Sequence, residues 1–320
     1  IYIISYNFIL NIINIINIYI YIYIVSVILY RLNKMVLNKK YIIEEIKRNK
    51  IKLTGVLHIG AHECEEKGFY NKDLHINDKN IIWIEANPTK VNEAKQRGIK
   101  NIYQSVITNE DDKEILFNVA NNFQSSSVLE LGTHEKEHPD IKYVKDLSFM
   151  AKTTTIKTFF KRNKIKNPYK YNFWNFDIQG AELMALQGAK DYIKYAKVIN
   201  LEVNTEKVYK DCPLMSDIDA YLNKHHFQRV LTKITKHGWG DALYIKSNNN
   251  MKIKTYEDYK KLSKKKTMKQ KTMKQKTMEK KTMKQKTMEK KTMKKKIMEK
   301  KTMKKKIMEK KIMEKKTMKK

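Results

Sequence analysis

Cysteine, proline and glycine are scarce in this sequence of 320 residues, which contains 2 Cys, 4 Pro and 9 Gly. Cys64 and Cys212 stand in unrelated contexts, without Cys-x-x-Cys or paired Cys/His spacing. The sequence therefore indicates neither a disulfide framework nor a metal site, and a reducing compartment is expected. It also has no Gly-x-Gly-x-x-Gly motif, which argues against a site for a dinucleotide pyrophosphate.

Charge is missing from one end of the chain and concentrated at the other. Residues 1–30 contain no charged side chain, whereas residues 266–320 hold 25 Lys and 5 Glu, which is +20 of the formal net charge of +33. The remaining 265 residues therefore carry +13. This moderate charge does not indicate a dedicated nucleic-acid binder, and we expect no specific nucleic-acid partner.

The apolar stretch 1–30 has two interpretations. It is long enough to span a membrane, and Arg31, Lys34 and Lys39 follow it as a basic flank, which is typical of a signal-anchor with the next domain on the cytoplasmic side. Alternatively, residues 1–34 are translated upstream sequence, since the first methionine is Met35 and the Asn-Ile-Ile and Tyr-Ile repeats resemble translated AT-rich DNA. We favour the second interpretation and a cytoplasmic protein; the first predicts membrane association through residues 1–30.

A five-residue repeat runs from Lys266 to Lys320, first as Lys-Thr-Met-Lys-Gln and later as Lys-Ile-Met-Glu-Lys. On a helix this period turns each Met by roughly 140° from the last, so no apolar stripe or coiled-coil seam forms. Such a tail is either a polybasic patch for a membrane or nucleic acid, or a solvated segment. We favour the second and predict that residues 251–320 are mostly disordered.

Residues 35–250 alternate short apolar runs with helical patterns, which predicts βαβ units and a mainly parallel sheet. The predicted strands are 53–59, 80–85, 102–105, 114–119, 153–156, 173–178, 198–203, 227–232 and 241–245. The predicted helices begin near Glu63 and at Asn87-Pro88, and cover 181–190 and 216–225.

Several polar residues and one glycine fall at predicted strand ends, where ligands bind in open α/β sheets. They are Gly60, Glu85, Ser105, Asp177 and Glu202. Gly60 permits close backbone approach, and Glu85 lies 25 residues on, where a carboxylate can accept both hydroxyls of a ribose. Each also has a simpler explanation: Gly60 serves a turn, and Glu85 is solvated or caps the next helix.

The segment from Phe176 to Ala189, Phe-Asp-Ile-Gln-Gly-Ala-Glu-Leu-Met-Ala-Leu-Gln-Gly-Ala, resembles the Asp-Val-(Glu/Gln)-Gly-x-Glu…Leu-x-Gly-Ala signature of FkbM-family methyltransferases. Four further segments resemble the family in order. They are His58–Ala61 (its Asp-(Ile/Val)-Gly-Ala loop), Ile84–Pro88 (its Glu-Pro-x-Pro strand end), Leu201–Val203 and the closing hairpin Gly238–Tyr244. The resemblance spans about 190 residues.

The resemblance implies an α/β class I methyltransferase (Rossmann-like) fold, with a mainly parallel seven-stranded sheet whose last strand is antiparallel, and S-adenosylmethionine as cofactor. By position, Gly60 and Ala61 would pass near the methionine moiety, Glu85 would hold the ribose, and Ser105 or Val106 would line the adenine.

Three positions depart from the family pattern: His58 stands in place of Asp, His62 in place of Asn, and Cys64 in place of Gly. His58 occupies a cofactor-loop position, but the cofactor ammonium would need another acid, such as Glu63 or Asp177.

The family-level reaction is methylation of a hydroxyl on a sugar, glycan or small metabolite, which benefits from a general base. Asp177 is our first candidate and His62 and His134 follow, because neutral imidazole suits proton removal near pH 7. Their simpler roles are a helix cap for Asp177 and solvated loop residues for the histidines. The polar insertion 121–140 either shapes the acceptor pocket or is a disordered connection.

Two rival functions remain at this stage. One is a nicotinamide-dependent oxidoreductase, against which the glycine pattern counts. The other is a non-catalytic, methyltransferase-like binding protein tethered through its basic tail. The binding-protein hypothesis predicts that deleting residues 1–34 and 251–320 abolishes function. The enzyme hypothesis predicts that residues 35–250 are sufficient for activity.

Overall fold

The structure is a computed structural model that describes residues 36–247 and 256–317. The chain divides into two compact units, one ending at Tyr256 and the other running from Glu257 to Lys320. The strands of the described residues are β1 (Val56–Ile59), β2 (Ile81–Glu85), β3 (Ile102–Gln104), β4 (Val106–Ile107), β5 (Glu114–Phe117), β6 (Phe149–Thr154), β7 (Phe173–Phe176), β8 (Val198–Asn204), β9 (Phe227–Ile234) and β10 (Trp239–Lys246).

Seven α-helices occur in the same residues, together with several shorter turns. The helices are α1 (Lys39–Arg48), α2 (Pro88–Gln96), α3 (His134–Glu137), α4 (Ile156–Arg162), α5 (Glu182–Gly188), α6 (Met215–Lys224) and α7 (Tyr256–Thr317). A π-helical turn covers Phe69–Asp73, and 3₁₀ turns cover Asp78–Asn80, Pro168–Lys170 and Lys190–Tyr195.

The main sheet of the first unit has seven strands among the described residues, in the order β3-β2-β1-β7-β8-β10-β9. β3, β2, β1, β7 and β8 are paired in parallel, and β10 is antiparallel to both of its neighbours. The strand order reverses at β1, since β2 lies on one side and β7 on the other. This is the class I methyltransferase fold, and the prediction of a mainly parallel sheet with an antiparallel last strand is confirmed.

The central strands are buried along their whole length, as expected of parallel strands covered on both faces. Their side chains form one core with residues of α4, α5 and α6, including Phe159, Leu186 and Leu222. α2 begins where the sequence predicts, because the Asn87 side chain accepts the Thr89 N–H and Pro88 occupies the first turn.

Two predicted boundaries are wrong. The strand expected at 153–156 is β6, which begins earlier and ends at Thr154, because Thr155 caps α4 by accepting the Thr158 N–H. The helix expected near Glu63 is replaced by turns, followed by the π-helical turn. His62 and Cys64 have positive φ angles (41° and 58°), which interrupts helical geometry there.

A second, three-stranded sheet in the order β4-β6-β5 lies within the described residues. β4 pairs with β6 in parallel, and β5 pairs with β6 in antiparallel register. The polar insertion 121–140 lies between β5 and β6 and contains α3, and its residues Ser127 and Leu131 form isolated β-bridges with Asn118 and Tyr209.

The tail differs from the disordered segment that we predicted, because α7 is a continuous helix of 62 residues. Its residues are mainly Lys, Met, Glu, Gln and Thr without Gly or Pro, and the first four are good helix formers. Methionines of successive five-residue repeats are similarly exposed, as with Met278 (71%) and Met283 (75%), which agrees with the expected absence of an apolar stripe.

No helix in residues 36–247 or 256–317 is long and apolar enough to cross a membrane. The apolar stretch 1–30 lies outside the described residues.

Candidate active site

A cavity of about 960 Å³ opens at the carboxyl ends of the central strands. Cofactor and small-molecule sites commonly measure roughly 300–1,000 Å³, so this cavity has room for both a nucleoside and an acceptor. All five strand-end residues singled out in the sequence line it: Gly60, Glu85, Ser105, Asp177 and Glu202.

The loop after β1 is held between the two neighbouring strands. The Gly60 and Ala61 N–H groups donate to the Ile84 carbonyl at 2.9 and 3.0 Å. Gly60 has φ +85°, and a Cβ atom at this position would lie 1.8 Å from the Asp177 carbonyl oxygen. Only glycine fits there, and its absent side chain lets the ends of β1 and β7 meet at the cavity floor.

Glu85 at the end of β2 is fixed by the backbone on both carboxylate oxygens. Oε2 accepts the His62 N–H at 2.7 Å, and Oε1 accepts the Asn87 N–H at 2.8 Å. A carboxylate has about four acceptor positions, so these two bonds leave capacity for ligand hydroxyls. Glu85 is 8% exposed and lines the cavity.

Asp177 follows β7 and is held by a side-chain amide. Gln179 Nε2 donates to Asp177 Oδ1 at 2.6 Å and to Glu202 Oε2 at 3.2 Å. The Tyr209 hydroxyl donates to Gln179 Oε1 at 2.6 Å. Asp177, Gln179, Glu202 and Tyr209 all line the cavity, so this network forms part of its wall.

Buried carboxyl groups surround that network. Burial, followed by the nearby Asp177, raises the pKa of Glu202 well above its ordinary value. Burial also raises the pKa of Glu182 to about 7, although its oxygens accept the Ile178 and Gly180 N–H groups. The pKa of Asp241 is likewise raised to about 7, chiefly by burial. Protons are therefore retained in this cluster near neutral pH.

A family model for the methyltransferase FkbM domain matches residues 58–229, which is 172 of the 320 residues. The chain belongs to the FkbM methyltransferase family. The match begins in β1 and contains all five strand-end residues of the cavity, Gly60, Glu85, Ser105, Asp177 and Glu202. The methyltransferase uses S-adenosylmethionine as its cofactor. No curated protein matches the chain.

Solved structures similar to the methyltransferase include two with named functions. Magnesium protoporphyrin IX methyltransferase from Synechocystis PCC 6803, solved with bound S-adenosylmethionine, is 9% identical over 65% of this chain and 78% of its own, with a TM-score of 0.36. Methyltransferase FkbM from Methylobacillus flagellatus KT is 14% identical over 61% of this chain, with a TM-score of 0.37, and the match spans only 44% of its length. At these TM-scores the likeness adds nothing to the family match.

Seven of the nine site residues predicted from the sequence line the cavity of the methyltransferase: Gly60, His62, Glu85, Ser105, Val106, His134 and Asp177. His58 and Ala61 do not. Ala61 is fully buried, and its N–H donates to the Ile84 carbonyl of β2.

His58 points away from the cavity into a buried polar cluster. It is 1% exposed, with Nδ1 2.9 Å from the Tyr70 hydroxyl and Nε2 3.2 Å from Asn175 Nδ2. Its ring lies 4.9 Å from that of Trp83. Successive side chains of a strand point to opposite faces of the sheet, so the His58 side chain does not have to face the cavity that the following loop lines. Glu63 and Asp177, the alternative acids for a cofactor ammonium, both line the cavity.

The polar insertion supplies a large part of the cavity wall. Ten of its residues line the cavity: Asn121, Asn122, Phe123, Gln124, Ser125, Ser126, Val128, His134, His138 and Asp140. His134 stacks on Tyr209, with ring centroids 5.7 Å apart. Burial and the neighbouring His138 lower the pKa of His134 to about 4, so the ring is neutral at neutral pH. Its Nε2 atom is buried and has no hydrogen-bond partner within the described residues.

Two members of the hydrogen-bond network around Asp177, Gln179 and Tyr209, were not identified as site residues from the sequence. Gln179 lies inside the family signature, where its type was noticed but no role was inferred. Tyr209 lies in a loop after β8, and no spacing connects it with Asp177; only the fold brings its hydroxyl to the Gln179 amide. No group of three or more His, Cys, Asp or Glu within the described ranges is placed to hold a metal ion.

Proposed function

We propose that this methyltransferase transfers a methyl group to a hydroxyl oxygen of a sugar, glycan or small metabolite, with Asp177 as the general base. The observation that carries this proposal is the Asp177 carboxylate in the cavity wall beside the Gly60 loop. One oxygen, Oδ1, is held by Gln179, while Oδ2 accepts no hydrogen bond from the described part of the chain. Asp177 thus has an oxygen left to receive a hydroxyl proton.

The cavity residues fit the cofactor. The Gly60 loop admits close approach of a ligand to the backbone, and Glu85 offers oriented acceptor positions for the two ribose hydroxyls. Ser105 and Val106 would lie beside the adenine, and Glu63 would face the ammonium in place of His58, which leaves Asp177 for the acceptor. When bound, S-adenosylmethionine supplies an electrophilic methyl group on a sulfonium sulfur.

The protein's own contribution is alignment and proton removal. A protonated alcohol is a poor nucleophile, so a hydrogen bond from the acceptor hydroxyl to Asp177 Oδ2 orients its oxygen and lets the proton leave. His62 and His134 are less well placed for this task. His62 Nδ1 lies 2.9 Å from Glu65 Oε1, and His134 Nε2 is shielded from solvent. We therefore assign the proton transfer to Asp177.

The remaining wall suits a neutral acceptor with several hydroxyls. The insertion lines the cavity with the polar residues Asn121, Asn122, Gln124, Ser125 and Ser126. Several of their side chains also hydrogen-bond within the insertion, as Asn121 Nδ2 does to the Asp140 carbonyl and Ser126 Oγ does to the Phe123 carbonyl. Amides and hydroxyls both donate and accept hydrogen bonds, so they match alcohol groups. Phe123 and Trp239 add aromatic surface to the same cavity, against which the apolar face of a sugar ring can pack.

The proposal is tested with the full chain, cofactor labelled in its methyl group, and a panel of acceptors containing hydroxyl, amine and thiol groups. We expect label on hydroxyl oxygen, stable as an ether. Asp177→Asn should lower kcat by about 100-fold or more while S-adenosylmethionine affinity changes by less than about threefold. Asp146→Asn is the matched control, because Asp146 is exposed outside the cavity. Transfer only to nitrogen or sulfur, or full activity of Asp177→Asn, would contradict the proposal.

A further inference from the structure

The amide of Gln179 uses three of its hydrogen-bonding positions within the cavity wall. Its Oε1 accepts from the Tyr209 hydroxyl, and its Nε2 donates to Asp177 and Glu202. The reverse orientation would place Oε1 against two carboxyl oxygens, which are acceptors when ionised. The bond from Tyr209, together with these two acceptors, therefore fixes which end of the amide faces Asp177.

The backbone around this amide is constrained as well. Gln179 has φ +55° and Gly180 has φ +95°, and a non-glycine residue pays on the order of 1 kcal/mol for that conformation. The Gln179 carbonyl accepts the Ser127 hydroxyl at 2.8 Å. The N–H groups on either side, of Ile178 and Gly180, donate to Glu182. An unfavourable conformation held from both sides is typical of functional sites.

The two carboxyl groups joined by the amide have different surroundings. Glu202 is 9% exposed, and Glu182 and Asp241 lie near it as well as Asp177. Two adjacent carboxyl groups in such a place do not both ionise readily. Burial and the neighbouring acids raise the pKa of Glu202, so this carboxyl favours its protonated form.

We propose that Gln179 is a positioning residue: its amide, fixed by the Tyr209 hydroxyl, binds Asp177 Oδ1 and connects it to Glu202, so that Asp177 presents its other oxygen, Oδ2, to the acceptor. The role in methyl transfer rests on the proposed function, but the hydrogen bond from Gln179 to Asp177 does not. A residue that only stabilised the turn would leave the titration of Asp177 unchanged.

The test measures that titration directly. The full chain is prepared with carbon-13 in the side-chain carboxyl of aspartate, and the Asp177 signal is identified from its loss in Asp177→Asn. Gln179→Met keeps the length of the side chain but removes both N–H donors. Donors stabilise the ionised carboxylate, so the midpoint of the Asp177 titration should be higher in Gln179→Met than in the unmodified chain. An unchanged midpoint would overturn the proposal.

Two further variants keep the result unambiguous. Gln187→Met is the control, because Gln187 is exposed on α5 and does not line the cavity. In this variant the midpoint of the Asp177 titration should equal that of the unmodified chain. Tyr209→Phe removes only the hydroxyl that orients the amide and should move the midpoint in the same direction by a smaller amount. If Gln179→Met does not fold, an unchanged midpoint in Tyr209→Phe contradicts the proposal instead.

Calorimetric titration of S-adenosylmethionine into the same samples separates this inference from the proposed function. We expect both variants to bind the cofactor within about threefold of the unmodified chain, since Gln179 acts on Asp177 rather than on Glu85. If the unmodified chain transfers no methyl group to a hydroxyl, the proposed function fails, while the carbon-13 titration still decides whether Gln179 positions Asp177.

Discussion

The close approach of β1 and β7 at the cavity floor depends on the absence of a side chain at Gly60. Gly60→Ala would place a Cβ atom 1.8 Å from the Asp177 carbonyl oxygen and would also strain a φ of +85°. We expect a loss of about 3 kcal/mol or more in the free energy of unfolding, measured by denaturant titration. Gly98→Ala is the matched control, since Gly98 has φ +81° with no atom near its Cβ position, and should lose only about 1–2 kcal/mol. Equal losses would mean that close packing at Gly60 is unimportant.

Among single residues, the sequence predicts those that directly follow a buried strand. Gly60, Glu85 and Asp177 are found because parallel strands bring their carboxyl ends to one edge. His58 was expected near the cofactor, yet its side chain falls on the other side of the strand end. Tyr209 could not be found, because its contact with Gln179 depends on a loop conformation that no local pattern encodes.

The polar insertion 121–140 forms the part of the cavity wall that we assign to the acceptor. Gly132 anchors it: the Gly132 N–H donates to the Val208 carbonyl, and a Cβ at Gly132 would lie 2.2 Å from the Lys207 carbonyl oxygen. We expect Gly132→Ala to loosen residues 121–140, which faster amide hydrogen exchange would show, and to lower methyl transfer. Affinity for S-adenosylmethionine should change by less than about threefold, because Gly60 and Glu85 lie outside the insertion.

Gly68→Ala serves as the control for that experiment, since no atom lies within 4 Å of a Cβ at Gly68. Exchange in residues 121–140 that is as slow in Gly132→Ala as in this control would show that the insertion does not depend on the close contact at Gly132.

Elements with continuous buried runs could be predicted, and those with weaker patterns could not. β1, β2, β7 and β8 are buried throughout, so their apolar runs are unambiguous. Two strands of the second sheet were predicted, at 114–119 and 153–156, but their pairing into a separate sheet was not, because β4, which completes it, has only two residues. The helix α7 was missed because its charge favours disorder while its residue types favour a helix, and composition alone does not weigh one against the other.

The stability of the whole molecule should depend on pH through its buried acids. Glu182 and Asp241 have pKa values raised to about 7, and the pKa of Glu202 is also raised. The folded state therefore holds protons that the unfolded chain releases above about pH 4. Their stabilisation is complete below that pH and is lost as the pH rises toward 7 and beyond, by about 1.4 kcal/mol per pH unit for each proton.

His134 works in the opposite direction. Its pKa is lowered to about 4, so the folded state gains stability as the pH rises from about 4 to 6.5. Burial and neighbouring positive groups also lower the pKa of His225, which acts in the same direction as His134. Three acids outweigh these two imidazoles, and we expect the free energy of unfolding to fall between pH 5 and pH 8. Glu202→Gln, which mimics the uncharged acid, should make that decline shallower, whereas Glu114→Gln on exposed β5 should not. Stability that rises across this range would show that the buried acids are ionised throughout.

The central claim concerns the cavity as a cofactor site, and calorimetric titration of S-adenosylmethionine into the full chain tests it most directly. We predict binding with a Kd in the range of about 1 µM to 1 mM. Glu85→Ala should weaken it by about 10-fold or more, because the ribose loses its acceptor, while Glu114→Ala should leave it unchanged. No binding by the unmodified chain, or equal affinity in Glu85→Ala, would contradict the account.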